Sequence, residues 1–187
     1  MMGPGKLDGI MITEHDHLWP AEDIADLNAG LSYGRIYTGV EVSSRNGHFL
    51  VIGLVSMDGI ASGIDIDTLI AEAEAQNAAV IWAHPRMLYS NMTDPQNAGT
   101  LPKGLHGLEV ASSVISKEDA DETLSIAKRL GLADVGGSDA HILQHVGCAY
   151  TIFETLPENE RNLADFIRQG HCTAGQRPAP LVMETVV

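Results

Sequence analysis

Residues that could bind a metal or move a proton follow apolar runs at three places in the chain. The apolar runs end in Thr13-Glu14-His15-Asp16-His17, in His84-Pro85 and in Ser138-Asp139-Ala140-His141. A fourth run, from Ile36 to Val42, carries Glu41 near its end. Because the carboxyl ends of buried parallel strands share one face of a sheet or barrel, these polar side chains are expected to meet at one site.

The residue types at these strand ends suit a transition metal. His15 and His17 alternate, as do Asp139 and His141, so each pair would point the same way from an extended segment. Imidazole with carboxylate is the ligand set of zinc, manganese or iron rather than of calcium or magnesium. Glu41 lies in a strand rich in Val, Ile and Tyr, where a carboxylate is costly to bury without a cation or donors. The alternative is a set of separate structural groups: hydrogen-bonded histidines, a salt-bridged Glu41 and a helix-capping Asp139.

Length and charge limit the class of protein. A chain of 187 residues suits one domain, spanning 1–187, that is large enough to bury a core. The hydrophobic fraction of 44% and the charged fraction of 19% are ordinary for a soluble globular protein. The net charge of -14 argues against a nucleic-acid surface, which would need a basic stripe to displace counterions.

The sequence also bears on the compartment. The two cysteines, Cys148 and Cys172, are far apart and form no CxxC pattern, as expected of reduced thiols in a cytosolic protein. No apolar run approaches the ~20 residues that span a membrane. The segment 1–6 lacks the apolar core of a signal peptide. We therefore expect a cytoplasmic protein without a membrane partner.

The pattern of elements predicts an α/β fold with a largely parallel sheet. An incomplete (β/α) barrel and a doubly wound open sheet both fit this order. The polar stretch 85–104 is expected to be a loop that is either a lid or disordered. Strands are predicted over 7–13, 35–43, 48–54, 78–83, 105–111, 134–137 and 149–153, and helices over 20–28, 65–77, 117–130 and 158–169.

Four short motifs give the chain a family resemblance. In order they are Ile12-Thr13-Glu14-His15-Asp16, then Gly39-Val40-Glu41 with Gly47-His48-Phe49-Leu50 after it, then Ala83-His84-Pro85, then Gly137-Ser138-Asp139-Ala140-His141. With these motifs the chain resembles the PHP (polymerase and histidinol phosphatase) superfamily of metal-dependent phosphoesterases. The resemblance covers about Leu7 to Gly175.

The resemblance implies a distorted (β/α)7 barrel with metals at its carboxyl face. Glu41 would bridge two ions, and His48 and His84 would complete the shell of one of them. Asp139 would hold the other ion, while His15 and His141 would belong to a third position. Zinc, manganese or iron would be the divalent cofactor, with one to three ions per chain.

One motif of the family is missing. PHP proteins open with a strand that carries a His-x-His pair, whereas no histidine precedes His15 in this sequence. The resemblance therefore implies a PHP-type barrel that lacks its first strand and helix. Either the chain begins inside a longer gene product, or the protein naturally lacks the motif. Exposed sheet edges next to the missing strand would favour a homo-oligomer.

The reaction implied is hydrolysis of a small phosphate ester by a metal-activated water, with no side chain as the catalyst. His17 and Arg86 are candidate contacts to the substrate. The alternative is a degenerate PHP module that binds a metal, ligand or partner without turnover. An amidohydrolase-type enzyme would need a metal-bridging lysine, and Lys103 and Lys117 are poorly placed for that role.

Overall fold

The computed structural model describes residues 6–85 and 101–177, which contain eight strands and four α-helices. The strands are β1 (Gly9–Ile12), β2 (Arg35–Ser44), β3 (Gly47–Ile52), β4 (Ala79–Trp82), β5 (Gly107–Ala111), β6 (Ala133–Gly136), β7 (Ala149–Phe153) and β8 (Cys172–Gln176). The helices are α1 (Ala21–Ala29), α2 (Ile66–Ala75), α3 (Lys117–Leu130) and α4 (Glu160–Arg168).

Strands β1 to β6 form one sheet whose spatial order follows the chain. The β2–β3 and β3–β4 pairs are antiparallel, and the β1–β2, β4–β5 and β5–β6 pairs are parallel. A doubly wound sheet would reverse its strand order at a switch point, and this sheet does not. The fold is α/β with the sheet curled as a half-barrel.

Alternation of side chains along the strands separates two apolar layers. The outer layer joins the sheet to α2 and α3, and the inner layer joins it to α4. The outer layer includes Val40, Val42, Phe49, Val51, Val80, Trp82 and Leu108 with Leu69, Ala73 and Ile126. The inner layer includes Tyr37, Ile52, Ala79, Ile81, Ala133 and Val135 with Leu163, Ala164 and Ile167. Residues that follow the inner positions along the strands form the candidate site.

Turn and cap residues set the limits of several elements as the sequence predicts. The Ser44 hydroxyl accepts the N–H of Asn46 and donates to the carbonyl of Gly47, which closes the β2–β3 hairpin. Ser116 caps α3 by accepting the N–H of Asp119 at 3.1 Å. The predicted bounds of that helix are confirmed.

The carboxy-terminal region departs from the prediction. β8 was not predicted, and it pairs with β7 in a separate antiparallel sheet. Its sequence, Cys-Thr-Ala-Gly-Gln, has no apolar alternation. It is held instead by the Asp134 carboxylate, which accepts from the Thr173 hydroxyl at 2.7 Å and the Ala174 N–H at 2.9 Å. Such a contact between distant residues leaves no local signal in the sequence.

The described part of the chain bears on the predicted loop, the absence of a membrane span and the predicted self-association. Most of the loop predicted over 85–104 lies outside the described residues. Where the chain is described, every helix is too short or too polar to cross a membrane. β1 pairs with β2 alone in the sheet and exposes 49% of Ile10, but self-association and the single domain stay predictions.

Gly131, which ends α3, provides a test of the local backbone. Its φ is +68°, and a Cβ added there would meet no atom within 4 Å, so Gly131→Ala adds backbone strain without a clash. We expect a loss of roughly 1–2 kcal/mol in the free energy of unfolding, measured by urea denaturation.

The matched control is Gly30→Ala at the end of α1, where φ is -84° and the nearest atom is at 3.6 Å. That variant should unfold like the original chain or be slightly more stable. Equal losses in the two variants would contradict the left-handed geometry of Gly131.

Candidate metal centre

Glu41 lies at the centre of a group of three histidines. It is 7% exposed and projects from β2. Its Oε1 lies 3.0 Å from Nδ1 of His48 and 3.2 Å from Nε2 of His84, and its Oε2 lies 4.0 Å from Nε2 of His15. One carboxylate therefore faces three imidazoles that come from three different strand ends.

His15 is positioned by a continuation of the β1–β2 pairing. It forms an isolated parallel bridge with Glu41, and the N–H of Asp16 donates to the carbonyl of Glu41 at 2.9 Å. The Nδ1 of His15 is 3.3 Å from the Ser43 hydroxyl, which leaves Nε2 on the side of the carboxylate. In metal sites, a hydrogen-bond partner on one ring nitrogen commonly orients the other nitrogen towards the metal.

His48 and His84 come from the antiparallel strands β3 and β4. The ring centroid of His48 lies 4.9 Å from that of His15 and 5.2 Å from that of His84. His84 follows β4 with φ at +29°, a value rare for a residue with a side chain. Its backbone N–H donates to Oε2 of Glu109 at 2.8 Å, which holds this conformation.

One buried atom in the group is unsatisfied. Nδ1 of His48 is buried and makes no hydrogen bond, although Oε1 of Glu41 is only 3.0 Å away. Ligand atoms of His15, Glu41 and His48 lie within 4.8 Å of one another. Nitrogen and oxygen ligands bind zinc at about 2.0–2.2 Å, so a cation among these atoms would satisfy both the imidazole and the carboxylate. The residues present fit a divalent transition metal.

The electrostatics of the group favour an ionised Glu41. Burial alone would raise the pKa of Glu41, but the hydrogen bond from His84 and the charges of the three histidines lower it. Burial would lower the pKa of His84, yet the hydrogen bond to Glu41 and the charges of Glu109, Glu41 and Asp139 raise it. The site is therefore built to accommodate positive charge beside the carboxylate.

Glu109 is a member of the site that the sequence analysis missed. It is 3% exposed on β5, and burial, its dominant cause, raises its pKa to about 8. Its Oε1 lies only 3.0 Å from where a Cβ on Gly137 would be, so a side chain there would crowd the carboxyl group. The available signal was an acidic residue inside the apolar run 107–111.

Asp139 and His141 form a second group after β6. Nδ1 of His141 lies 3.7 Å from Oδ1 of Asp139 and 3.2 Å from its carbonyl oxygen. The negative charge of Asp139 affects the pKa of both His84 and Glu109, which places this carboxylate near the first group. The His141 side chain is 80% exposed.

Of the two candidate substrate contacts, only His17 is described, and its ring packs outside these groups. The structure separates His17 from His15, because Asp16 has a φ of +53° that ends the extended geometry assumed for the pair. The His17 ring instead packs edge-on against Trp19, with centroids 6.4 Å apart. Arg86 lies outside the described residues.

A cleft of about 960 Å³ joins the two polar groups. Five of the six predicted ligands line it together with Glu109, whereas His48 is not in the lining. The polar lining residues from the site are His15, Glu41, His84, Glu109, Asp139 and His141.

Comparison with known proteins finds a matching family model and solved structures of similar fold. The family model described as PHP-associated matches residues 118–172. A two-domain protein from Bacteroides vulgatus ATCC 8482, containing a predicted PHP-like metal-dependent phosphoesterase, aligns with a TM-score of 0.62 and 19% identity over 91% of this chain and 56% of its own. Residues 118–172 therefore resemble a PHP-associated segment, and the chain shares the fold of the Bacteroides protein.

Two further solved structures share the fold of this chain. PsfC from Pseudomonas syringae PB-5123 aligns with a TM-score of 0.66 and 22% identity over 92% of this chain and 78% of its own. A Bifidobacterium adolescentis ATCC 15703 protein, to which metal-dependent phosphoesterase activity is attributed, aligns with a TM-score of 0.61 and 14% identity over 88% and 86%. No curated protein matches the chain. The chain spans little more than half of the Bacteroides protein.

The raised pKa of Glu109 predicts that the stability of the metal-free chain depends on pH. Between its ordinary pKa of 4.5 and the folded value of about 8, the folded state keeps a proton that the unfolded chain has lost. The free energy of unfolding should therefore fall as the pH rises through this window, by on the order of 3 kcal/mol. Urea denaturation with a chelator, at pH 5 and pH 8, measures the change.

The comparison that isolates this effect uses Glu109→Gln, which keeps an acceptor for the His84 N–H and cannot ionise. It should lose less stability than the original chain between pH 5 and pH 8. The raised pKa of His84 acts in the same direction in both proteins, and Glu109 is one of its causes, so the difference between them reports Glu109 together with its effect on His84. Glu22→Gln, at an exposed position in α1, is the control. A Glu109→Gln slope equal to that of the control would contradict the assignment.

Proposed function

We propose that the chain is a metal-dependent phosphoesterase that hydrolyses a small phosphate ester. The observation that carries this proposal is the shared carboxylate of Glu41, which faces three imidazoles while Nδ1 of His48 is buried without a hydrogen bond. The metal-dependent phosphoesterase named for the Bacteroides protein, and attributed to the Bifidobacterium protein, supports the same reaction class.

The first group would hold the cofactor. Glu41 would share its two oxygens between ions, with His48 and His84 on the Oε1 side and His15 on the Oε2 side. When bound, a divalent zinc, manganese or iron would lower the pKa of a water and neutralise charge on the phosphoryl oxygens. The chain itself supplies the ligands, their orientation and the surrounding cleft.

The remaining polar residues would position the ligands and the ester. Glu109 fixes the backbone of His84 and so orients its ring towards Glu41. Asp139 and His141 would bind cations from the opposite part of the lining. His17 and Arg86 stay weak candidates for substrate contact, since the ring of His17 packs on Trp19 and Arg86 is not described.

The test combines metal content and turnover in one preparation. Purified protein should hold at least one transition metal per chain by elemental analysis and should hydrolyse 4-nitrophenyl phosphate. Glu41→Ala should lower kcat/KM by at least about 100-fold, because it removes the carboxylate that the imidazoles share. Glu118→Ala, at an exposed position in α3, should change neither value.

Two results would redirect the proposal. Turnover that survives Glu41→Ala in a folded protein, or survives removal of metal by a chelator, would contradict it. Stoichiometric metal without turnover would instead support the degenerate PHP module that binds a ligand or partner. Circular dichroism of each variant separates loss of chemistry from loss of fold.

A further inference from the structure

The inner face of the sheet changes from polar to apolar within one or two residues of Glu41. Tyr37, Gly39 and Glu41 alternate along β2 and share this face. Leu50 of β3 lies directly opposite Glu41, and Ile52 lies opposite Gly39. Both β3 residues line the cleft. The cleft therefore has the candidate metal centre at one part and the apolar side chain of Leu50 directly beside Glu41.

Other lining residues of the cleft also expose apolar side chains. Ile10 of β1 is 49% exposed and Ile152 of β7 is 48% exposed. Val146 and Leu156, beside the ends of β7, are 42% and 54% exposed. All four line the same cleft. Removing apolar surface from water contributes about 25 cal/mol per Å² of favourable free energy. A ligand that covers these side chains would therefore bind more tightly.

We infer that the cleft receives a neutral, apolar organic group of the phosphate ester, while the phosphoryl group faces Glu41 and the histidines. The inference rests on the proposed phosphoesterase function and names its substrate class. The cleft volume of about 960 Å³ lies near the upper end of small-molecule sites, and apolar walls with a few convergent polar groups are typical of them.

The charges of the lining favour a neutral organic group over an anionic one. Away from the histidines, the described lining carries the carboxylates of Asp8, Glu14 and Glu154. Its cations, Lys6 and Arg177, lie over the rings of Tyr33 and Tyr150, at 5.2 and 5.3 Å from the ring centroids. A second anionic group on the substrate would meet these carboxylates, whereas an alkyl or aryl group would meet Leu50, Ile152 and Leu156.

Binding of phosphonates tests the inference without turnover. Methyl-, butyl- and octylphosphonate share a head group that is not hydrolysed and differ in apolar length. Isothermal titration of the zinc-loaded chain should show tighter binding with each added methylene, by about two- to fourfold while the cleft has room. Titration of the metal-free chain with 1-hexanol and 1-octanol measures the apolar lining alone, and 1-octanol should bind more tightly.

Ile152→Thr tests the apolar lining itself. Threonine keeps a β-branched side chain in β7, so the fold should be retained. The variant should bind octylphosphonate about three- to tenfold more weakly and methylphosphonate as before. The control is Val55→Thr, because Val55 is 73% exposed and does not line the cleft. That variant should leave both affinities unchanged.

The outcomes separate the inference from the proposed function. Affinity independent of chain length, or equal effects of the two variants, would overturn the inference even if 4-nitrophenyl phosphate is hydrolysed. A cleft filled by another part of the chain or by a second copy would give that same independence. Chain-length dependence with alcohols and phosphonates but no turnover would sustain the apolar site and overturn the phosphoesterase.

Discussion

The site depends on the contact between the buried carboxylate of Glu41 and the imidazoles of three histidines. A carboxylate that is 7% exposed would be costly without positive charge or donors beside it. The histidines supply these, and they lower the pKa of Glu41 against the effect of burial. The buried Nδ1 of His48 lies 3.0 Å from the carboxylate without a hydrogen bond, which is the observation that favours a cation between them.

The sheet makes this meeting possible because its inner face carries both the core and the site. Side chains alternate, so the same face that buries Tyr37, Ile81 and Val135 presents Glu41 and Glu109 nearer the strand ends. Residues with a strained backbone conformation also lie near the strand ends that form the site. Of the four non-glycine residues with positive φ in residues 6–85 and 101–177, three are Asp16, His84 and Asp139. Such conformations persist where the surrounding structure holds them, and here the Glu109 carboxylate holds His84.

The sequence predicted the fold best where the information is local. Apolar runs, the Asn46-Gly47 turn and the Ser116 cap are each readable over a few residues, and the matching elements are present. It also predicted that His15, Glu41, His48 and His84 would come together. The β7–β8 sheet could not be predicted, because β8 depends on Asp134, about 40 residues away in the chain.

Within the site, the predictions from sequence also failed where the outcome depends on backbone conformation or on contacts between distant residues. The pairing of His15 with His17 assumed an extended backbone, and one positive φ at Asp16 separates them. Glu109 was overlooked because its role depends on the N–H of a residue on the neighbouring strand. Strand periodicity gives the face of a residue but not its contacts, so a buried carboxylate in an apolar run is recognised only when its partners are seen.

The most direct test of the account is the position of a bound ion. A crystal of the zinc-loaded chain, with anomalous data collected at the zinc edge, locates the metal independently of activity. The account predicts a zinc ion within about 2.0–2.2 Å of both a Glu41 oxygen and Nδ1 of His48. A fully occupied zinc bound elsewhere, with His48 and Glu41 uncoordinated, would contradict the proposal that their close approach marks a metal site.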